Sequence, residues 1–287
     1  MLPCFFVSDL HGRIDRYRRL FERIAAERPA AIFLGGDLLP MPWDQEWTSQ
    51  VQGDDFIDDF LAPRFAALRA DLGPDRFRVF VILGNDDPRA RETAVRDAEQ
   101  RGVWEYIHSR RVDFHGIPVY GYACVPPTPF LLKDWERYDV SRFVDHGCVS
   151  PEEGRRSVPV AEHEIRQATI QEDLVHLTGK DDLEHALFLF HSPPYQTKLD
   201  RAALDGRLVD HVPMDVHVGS VAIRRFIENR QPRACLHGHV HESARLTGDW
   251  RDHIGRTLLF TAAHDGPELA LVRFDAALPE QASRELL

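Results

Sequence analysis

Only four cysteines occur in the 287 residues, Cys4, Cys124, Cys148 and Cys235, and no two form a Cys-x-x-Cys pair. That excludes a zinc ribbon and a dithiol redox motif, and a chain this long needs no disulfide staples. No apolar run approaches the roughly 20 residues that span a bilayer, so no membrane-embedded protein is expected. Positive charge is scarce. Lys and Arg number 35 against 46 Asp and Glu, a formal net charge of −11 without a long basic run. Tracking a nucleic-acid backbone needs a basic stripe, so nucleic acid is a poor partner. No basic segment or cleavage signal marks the opening Met1-Leu-Pro-Cys4, which points to a reducing, cytoplasmic setting. Internal repeats, low-complexity tracts and flexible linkers are also missing. Hydrophobic residues make up 43%, enough for a core, so a disordered chain is excluded.

What the chain does have is short apolar runs alternating with amphipathic stretches. Cys4–Ser8, Ala30–Leu34, Arg78–Leu83, Pro118–Tyr122, Ala186–Phe190 and Ala234–Leu236 read as buried strands. Ile14, Tyr17, Leu20, Phe21 and Ile24 recur at helical spacing after the first. Thr257–Thr261 and Glu268–Phe274 read as two late strands that could pair across Asp265-Gly266-Pro267. Strands separated by helices predict an α/β fold with parallel pairing, to which the late hairpin adds antiparallel character. Two stretches read as insertions in a single domain spanning 1–287. About 40–74 carries a helical stripe of Phe56, Ile57, Phe60, Leu61, Phe65 and Leu68, and about 123–182 is rich in proline with one polar helix near Glu162–Leu177.

Histidine is over-supplied, at 15 residues, and its placement is not random. Asp9, Asp37, Asn85, His191, His239 and His241 each lie at or just past a predicted strand's carboxyl end, and His11 follows Asp9 by two. In α/β sheets ligands bind at those ends. Alone, each motif has a mundane source: a helix cap, a common loop, a tight turn, or a hydrogen-bonded histidine. Together they form a nitrogen and oxygen donor set without thiolate, which suits Mn, Fe, Zn, Co or Ni. Burying them unpaired would be costly.

The order Asp-x-His, Gly-Asp, Gly-Asn, His, Gly-His-x-His resembles the calcineurin-like metallophosphoesterases, with all five motifs in sequence from Asp9 to His241. The stretches His191-Ser-Pro-Pro-Tyr-Gln-Thr-Lys-Leu-Asp200 and His237-Gly-His-Val-His-Glu-Ser243 are similar to the branch of predicted phosphoesterases related to bacterial cyclic-nucleotide phosphodiesterases. The resemblance implies a four-layer α/β/β/α sandwich, two facing mixed sheets flanked by helices, with two divalent metal ions at the strand ends. Mn²⁺ or Fe are the first expectation, and Zn²⁺, Co²⁺ or Ni²⁺ fit the same donors. It implies that Asp9, His11 and His241 hold one ion, that Asn85, His191 and His239 hold the other, and that Asp37 bridges them. Two such ions share a carboxylate, and a metal-bound hydroxide attacks a small phosphodiester or nucleotide-like ester.

The chain departs from the family pattern once. Where the family reads Gly-Asn-His, this chain has Gly84-Asn85-Asp86. The usual histidine serves the transition state or the leaving oxygen, whereas an ionised Asp86 would repel a phosphoryl group and helps only if protonated. This favours diesters and activated esters over monoesters of poor leaving groups. The catalytic candidates are therefore Asn85, Asp86 and His217, the last preceding Ser220, a plausible cap of a helix over Val221–Asn229 whose N-terminus could receive a phosphate oxygen. His264 reads as a turn residue, Arg155-Arg156 as a solvated pair, and Trp135, Tyr138 and Phe143 either as lid packing or as a stacking wall. The rival functions are a nuclease, opposed by the net charge, and a metal-binding scaffold of the same fold, which Asp86 would suit.

Overall fold

Five-residue apolar runs become strands here because both of their faces are covered. Pro3–Val7 (β1), Ala31–Gly35 (β2) and Arg78–Ile82 (β3) are buried along almost their whole length, the mark of parallel strands inside a layered fold. The structure, a computed structural model, describes residues 1–41, 47, 50, 53 and 55–287, so part of the expected 40–74 insertion lies outside the described residues. The first sheet runs parallel from β1 through β2 and β3 to Glu105–Tyr106 (β4), and its other edge adds Ala270–Asp275 (β13) and Leu278–Leu286 (β14) antiparallel. The second holds Arg110–Phe114 (β5), Ile117–Tyr122 (β6), Leu187–Phe190 (β7), Ala234–His237 (β10), Arg251–Ile254 (β11) and Thr257–Thr261 (β12), in the order β11-β12-β10-β7-β6-β5. Leu208–Val209 (β8) and Val212–Pro213 (β9) form a separate small hairpin.

The two sheets meet through aromatic side chains. Phe33 and Phe80 from the first face Phe114 from the second, with ring centroids 6.5 and 5.6 Å away. Helices flank the pair. Ile14–Glu27 (α1) packs on Ala62–Leu72 (α2), and Glu92–Gln100 (α3) packs on β4. Glu162–Gln167 (α4) and Ile170–Thr178 (α5) come from the long 123–182 stretch, α5 packs on Val221–Arg230 (α6), and Ser243–Thr247 (α7) follows the last motif. Helix α1 buries Ile14, Tyr17, Leu20 and Ile24, the expected 3.6-residue stripe. The expected stripe of 56–68 buries Phe56, Ile57, Phe60, Leu61 and Phe65 through a π-helix, Phe56–Leu61, that runs into α2. The α/β sandwich of two mixed sheets is thus as the resemblance implies.

Two local expectations are corrected. Thr257–Thr261 and the strand after it do not pair, because β12 lies between β10 and β11 in one sheet while β13 lies between β1 and β14 in the other. Each strand has both edges taken, and the loop between them crosses from sheet to sheet under the guanidinium of Arg16, which donates to the carbonyls of His264 (3.4 Å) and Gly266 (2.5 Å). The polar helix is two helices. Ala168 is extended (ψ 132°), and the Thr169 hydroxyl then caps α5 by accepting from the Glu172 amide at 3.1 Å.

Candidate metal centre

Parallel strands put their carboxyl ends on one side, and five loops leave from there. Asp9 and His11 follow β1, Asp37 follows β2, Asn85 and Asp86 follow β3, His191 follows β7, and His239 and His241 follow β10. All seven expected donor residues come together. His241 Nε2 lies 3.3 Å from Asp9 Oδ1 and 3.2 Å from His11 Nε2. His191 Nε2 lies 3.2 Å from Asp37 Oδ2 and 3.1 Å from Asn85 Oδ1. The donor atoms of Asp9, His11, Asp37 and His241 fall within 4.8 Å of one another, as do those of Asp37, His191 and His239. Asp37 belongs to both groups.

The backbone is bent to achieve this. Asp9, His11, Asp37 and His239 have φ of 58°, 47°, 52° and 73°, a left-handed region that few non-glycine residues enter. Hydrogen bonds hold them there. The amides of Asp9 and His11 donate to the Gly36 and Asp37 carbonyls at 2.9 and 2.8 Å, lacing the β1 and β2 loops together. The His239 amide donates to Asp9 Oδ1 at 3.0 Å, and the Asp86 amide to Asp37 Oδ1 at 2.8 Å. Gly84 allows the β3 loop to press against these groups. A Cβ there would stand 2.5 Å from the Asp37 amide nitrogen and 2.7 Å from His191 Cε1.

Supporting groups aim the donors. His191 Nδ1 donates to the Gly35 carbonyl at 2.8 Å, leaving Nε2 for the site. Asp86 Oδ1 accepts from Asn85 Nδ2 at 3.0 Å, which turns the Asn85 carbonyl oxygen toward His191. Asp86 therefore orients a donor residue as well as occupying the place of the family's histidine. Asp87, wholly buried, accepts from the amides of Leu38, Leu39 and Gly84 and ties the second loop to the third. Arg16 donates to the Asp9 carbonyl at 2.6 Å. Sequence reasoning missed Arg16. Its one signal is an arginine on the apolar stripe of α1.

The field of the site favours positive charge. Burial opposes protonation of His191 and His241, yet the Asp37 carboxylate overrides it at His191 and raises it to about 10, and Asp9 does the same at His241, to about 9. Burial also acts against ionising Asp9 and Asp37, but the histidines hold both carboxyls below the usual range. His239, half-buried and close to His191, falls to about 3. Burial and the Asp37 carboxylate push Asp86 up to about 7. Asp9 Oδ2 is buried without a hydrogen-bond partner among the described residues, as is Nε of the supporting Arg16. Two ionised carboxylates, an orphaned carboxylate oxygen and convergent imidazole nitrogens fit divalent cations.

A cavity of about 640 Å³ opens onto this cluster, and Asp37, Asn85, Asp86, His239 and His241 lie in its wall. His217 faces it too. The His217 Nδ1 is 2.8 Å from Asp200 Oδ1, and Asp200 is itself buried and fixed by the Gln196, Thr197 and Gly219 amides. The expected anion-receiving end of α6 is already filled. Ser220 caps the helix as expected, but the Val221 and Ala222 amides donate to the Asp139 carboxylate at 2.6 and 3.1 Å, so a phosphate has no place there. Trp135 and Tyr138 are buried, with Trp135 Nε1 donating to the Asp87 carbonyl at 2.7 Å, whereas Phe143 is 69% exposed and lines the cavity. His264 lies 2.9 Å from Glu268 in its turn, and Arg155 and Arg156 stand outside the cavity wall.

Comparison with known proteins agrees with this geometry. Residues 2–243 match the family model described as calcineurin-like phosphoesterase. An 80-residue stretch is 38% identical to the uncharacterized protein MJ1162 of Methanocaldococcus jannaschii, covering 27% of this chain and 31% of that protein, so the match spans about a third of that relative. The fold is similar to TT1561 of Thermus thermophilus (TM-score 0.53, 15% identity, 99% and 98% of the two chains). It is also similar to a dimetal phosphatase from Danio rerio (TM-score 0.51, 13% identity, 99% and 95%). With the family model covering most of its length and the motif order intact, the chain belongs to the calcineurin-like phosphoesterase family.

Proposed function

We propose that the chain is a binuclear metal-dependent phosphoesterase acting on a small phosphodiester or a nucleotide-like phosphate ester. The observation that carries this reading is the position of Asp37, whose carboxylate belongs to both donor groups. Asp9, His11 and His241 would hold one ion, Asn85, His191 and His239 the other, and Asp37 both. Bound there, two divalent ions lower the pKa of water and offset phosphoryl charge. Mn²⁺ or Fe is our first choice, since imidazole and carboxylate donors without thiolate suit them. His217 lines the cavity and is steadied by Asp200, which supports a role for it in giving a proton to a leaving oxygen. Asp86, busy with Asn85, supports the site by orientation. The four free cysteines suit a reducing, cytoplasmic setting.

The test is hydrolysis of bis-p-nitrophenyl phosphate and p-nitrophenyl phosphate by chelator-treated protein titrated with Mn²⁺, repeated with Asp86→His. We expect metal-dependent turnover of the diester, and a gain on the monoester in the variant. No turnover of either ester by a protein that nonetheless binds two ions would overturn the reading in favour of a scaffold or of a substrate far from these model esters.

A further inference from the structure

The cavity beside the metal centre has a composition that speaks to what it holds. Pro126, Pro129, Phe130, Val140, Phe143 and Met214 give it an apolar wall. Phe130 and Phe143, 58% and 69% exposed, sit in that wall as large apolar side chains left facing solvent. Among the described residues no lysine or arginine lines it. Its carboxylates beyond the donor residues include Asp145, Asp215, which accepts from the Tyr195 hydroxyl at 2.6 Å, and Glu242 beside His241, and its imidazoles beyond them are His146 and His217, the latter 2.8 Å from the Asp200 carboxylate. The Asp139 carboxylate takes the α6 N-terminus, the one anion-friendly helix end in the wall.

These facts constrain a substrate in two ways. A phosphate, carboxylate or sulfate held away from the metal centre would meet mainly carboxylates and carbon, with no lysine or arginine to offset it and with the His217 imidazole already paired with the Asp200 carboxylate. A neutral apolar substituent, by contrast, would be drawn from water onto this wall, where each buried CH₂ gains roughly a fourfold increase in binding. Resting on the phosphoesterase reading above, we infer that the substrate carries a single phosphoryl group as a phosphodiester monoanion, with an uncharged apolar arm lying in this cavity. Polyphosphates and substrates with a second anionic group are selected against. The apolar arm can be aryl or alkyl, and the two sources separate experimentally.

The test measures binding of simple phosphodiesters to the Mn²⁺-loaded protein by calorimetry at low temperature, before hydrolysis is detectable, with dimethyl, dibutyl and diphenyl phosphate and with ADP. Diphenyl or dibutyl phosphate should bind at least about tenfold more tightly than dimethyl phosphate, and ADP should bind more weakly than either. The tighter of dibutyl and diphenyl identifies an alkyl or an aryl arm. Phe143→Arg, at an exposed position that should not disturb folding, should weaken the apolar diesters and strengthen ADP. Equal binding of dimethyl and diphenyl phosphate, or ADP as the tightest ligand, would overturn the inference. Turnover of model esters, measured separately, decides the phosphoesterase reading on its own, so failure of one is distinct from failure of the other.

Discussion

The His217 imidazole is anchored through Nδ1 to Asp200 at 2.8 Å, and Asp200 is in turn fixed by three backbone amides. An imidazole steadied on one nitrogen offers the other in a set direction. If it protonates the leaving oxygen, His217→Gln should lower kcat by about 10²–10⁴ on alkyl esters and far less on p-nitrophenyl esters, whose leaving group needs no proton. The check is the dependence of kcat on leaving-group pKa. A slope unchanged from the parent protein would remove His217 from the chemistry.

Asp37 sits in both donor groups, so its loss should be felt twice. Asp37→Asn keeps a residue type that tolerates the 52° φ, so the loop should survive. Removing a shared ligand should cost more than the roughly 10–100-fold lost with a supporting partner. Metal content by mass spectrometry after equilibrium dialysis should fall at both sites. If one ion remains at full occupancy, Asp37 does not bridge.

Gly84→Ala tests the packing against the site without replacing a donor, since a Cβ there would press on the Asp37 carboxylate itself. The new methyl meets the Asp37 amide and the His191 ring, neither of which can move without disturbing the donors. The expected cost is about 1–3 kcal/mol in a denaturant titration, together with weaker Mn²⁺ binding. Unchanged metal affinity would show that the loop gives way elsewhere.

Far from the donors, Lys133 and Glu136 form a wholly buried ion pair at 2.5 Å, and Thr128 donates to the same carboxylate. Burial pushes Glu136 up to about 7 despite Lys133. A carboxyl whose folded pKa is raised contributes stability that is full below the unfolded value and lost as pH rises through the folded one. Relative to Lys133→Met with Glu136→Leu, the parent should therefore lose stability between about pH 4.5 and 7, on the order of 3 kcal/mol. Either single variant strands a buried charge and should cost about 3–5 kcal/mol at neutral pH. Chemical denaturation across that pH range settles both points.

The donor set could be read from sequence because each donor follows a short apolar run, and a parallel sheet sends the ends of such runs to one side. The edges of the sheets were harder. Strand β4 is two residues long, and β14 buries only a few positions, so neither leaves a pattern to read. Long-range partners left no local trace either. Asp139 reaches α6 across 82 residues, and nothing near Val221 announces it. The two late strands misled because a turn motif says that the chain bends, not which sheet receives it.

The left-handed backbone at Asp9, His11, Asp37 and His239 has an evolutionary consequence. Asp, Asn and His tolerate that conformation better than most residues, so geometry alone would preserve these types at four positions even in a descendant that had abandoned catalysis. Asn85, His191 and His241 are under no such constraint, because their φ values are ordinary. Degenerate copies of this fold should therefore betray themselves at positions 85, 191 and 241 first, and a surviving Asp-x-His or Gly-Asp is the weaker witness to a living enzyme.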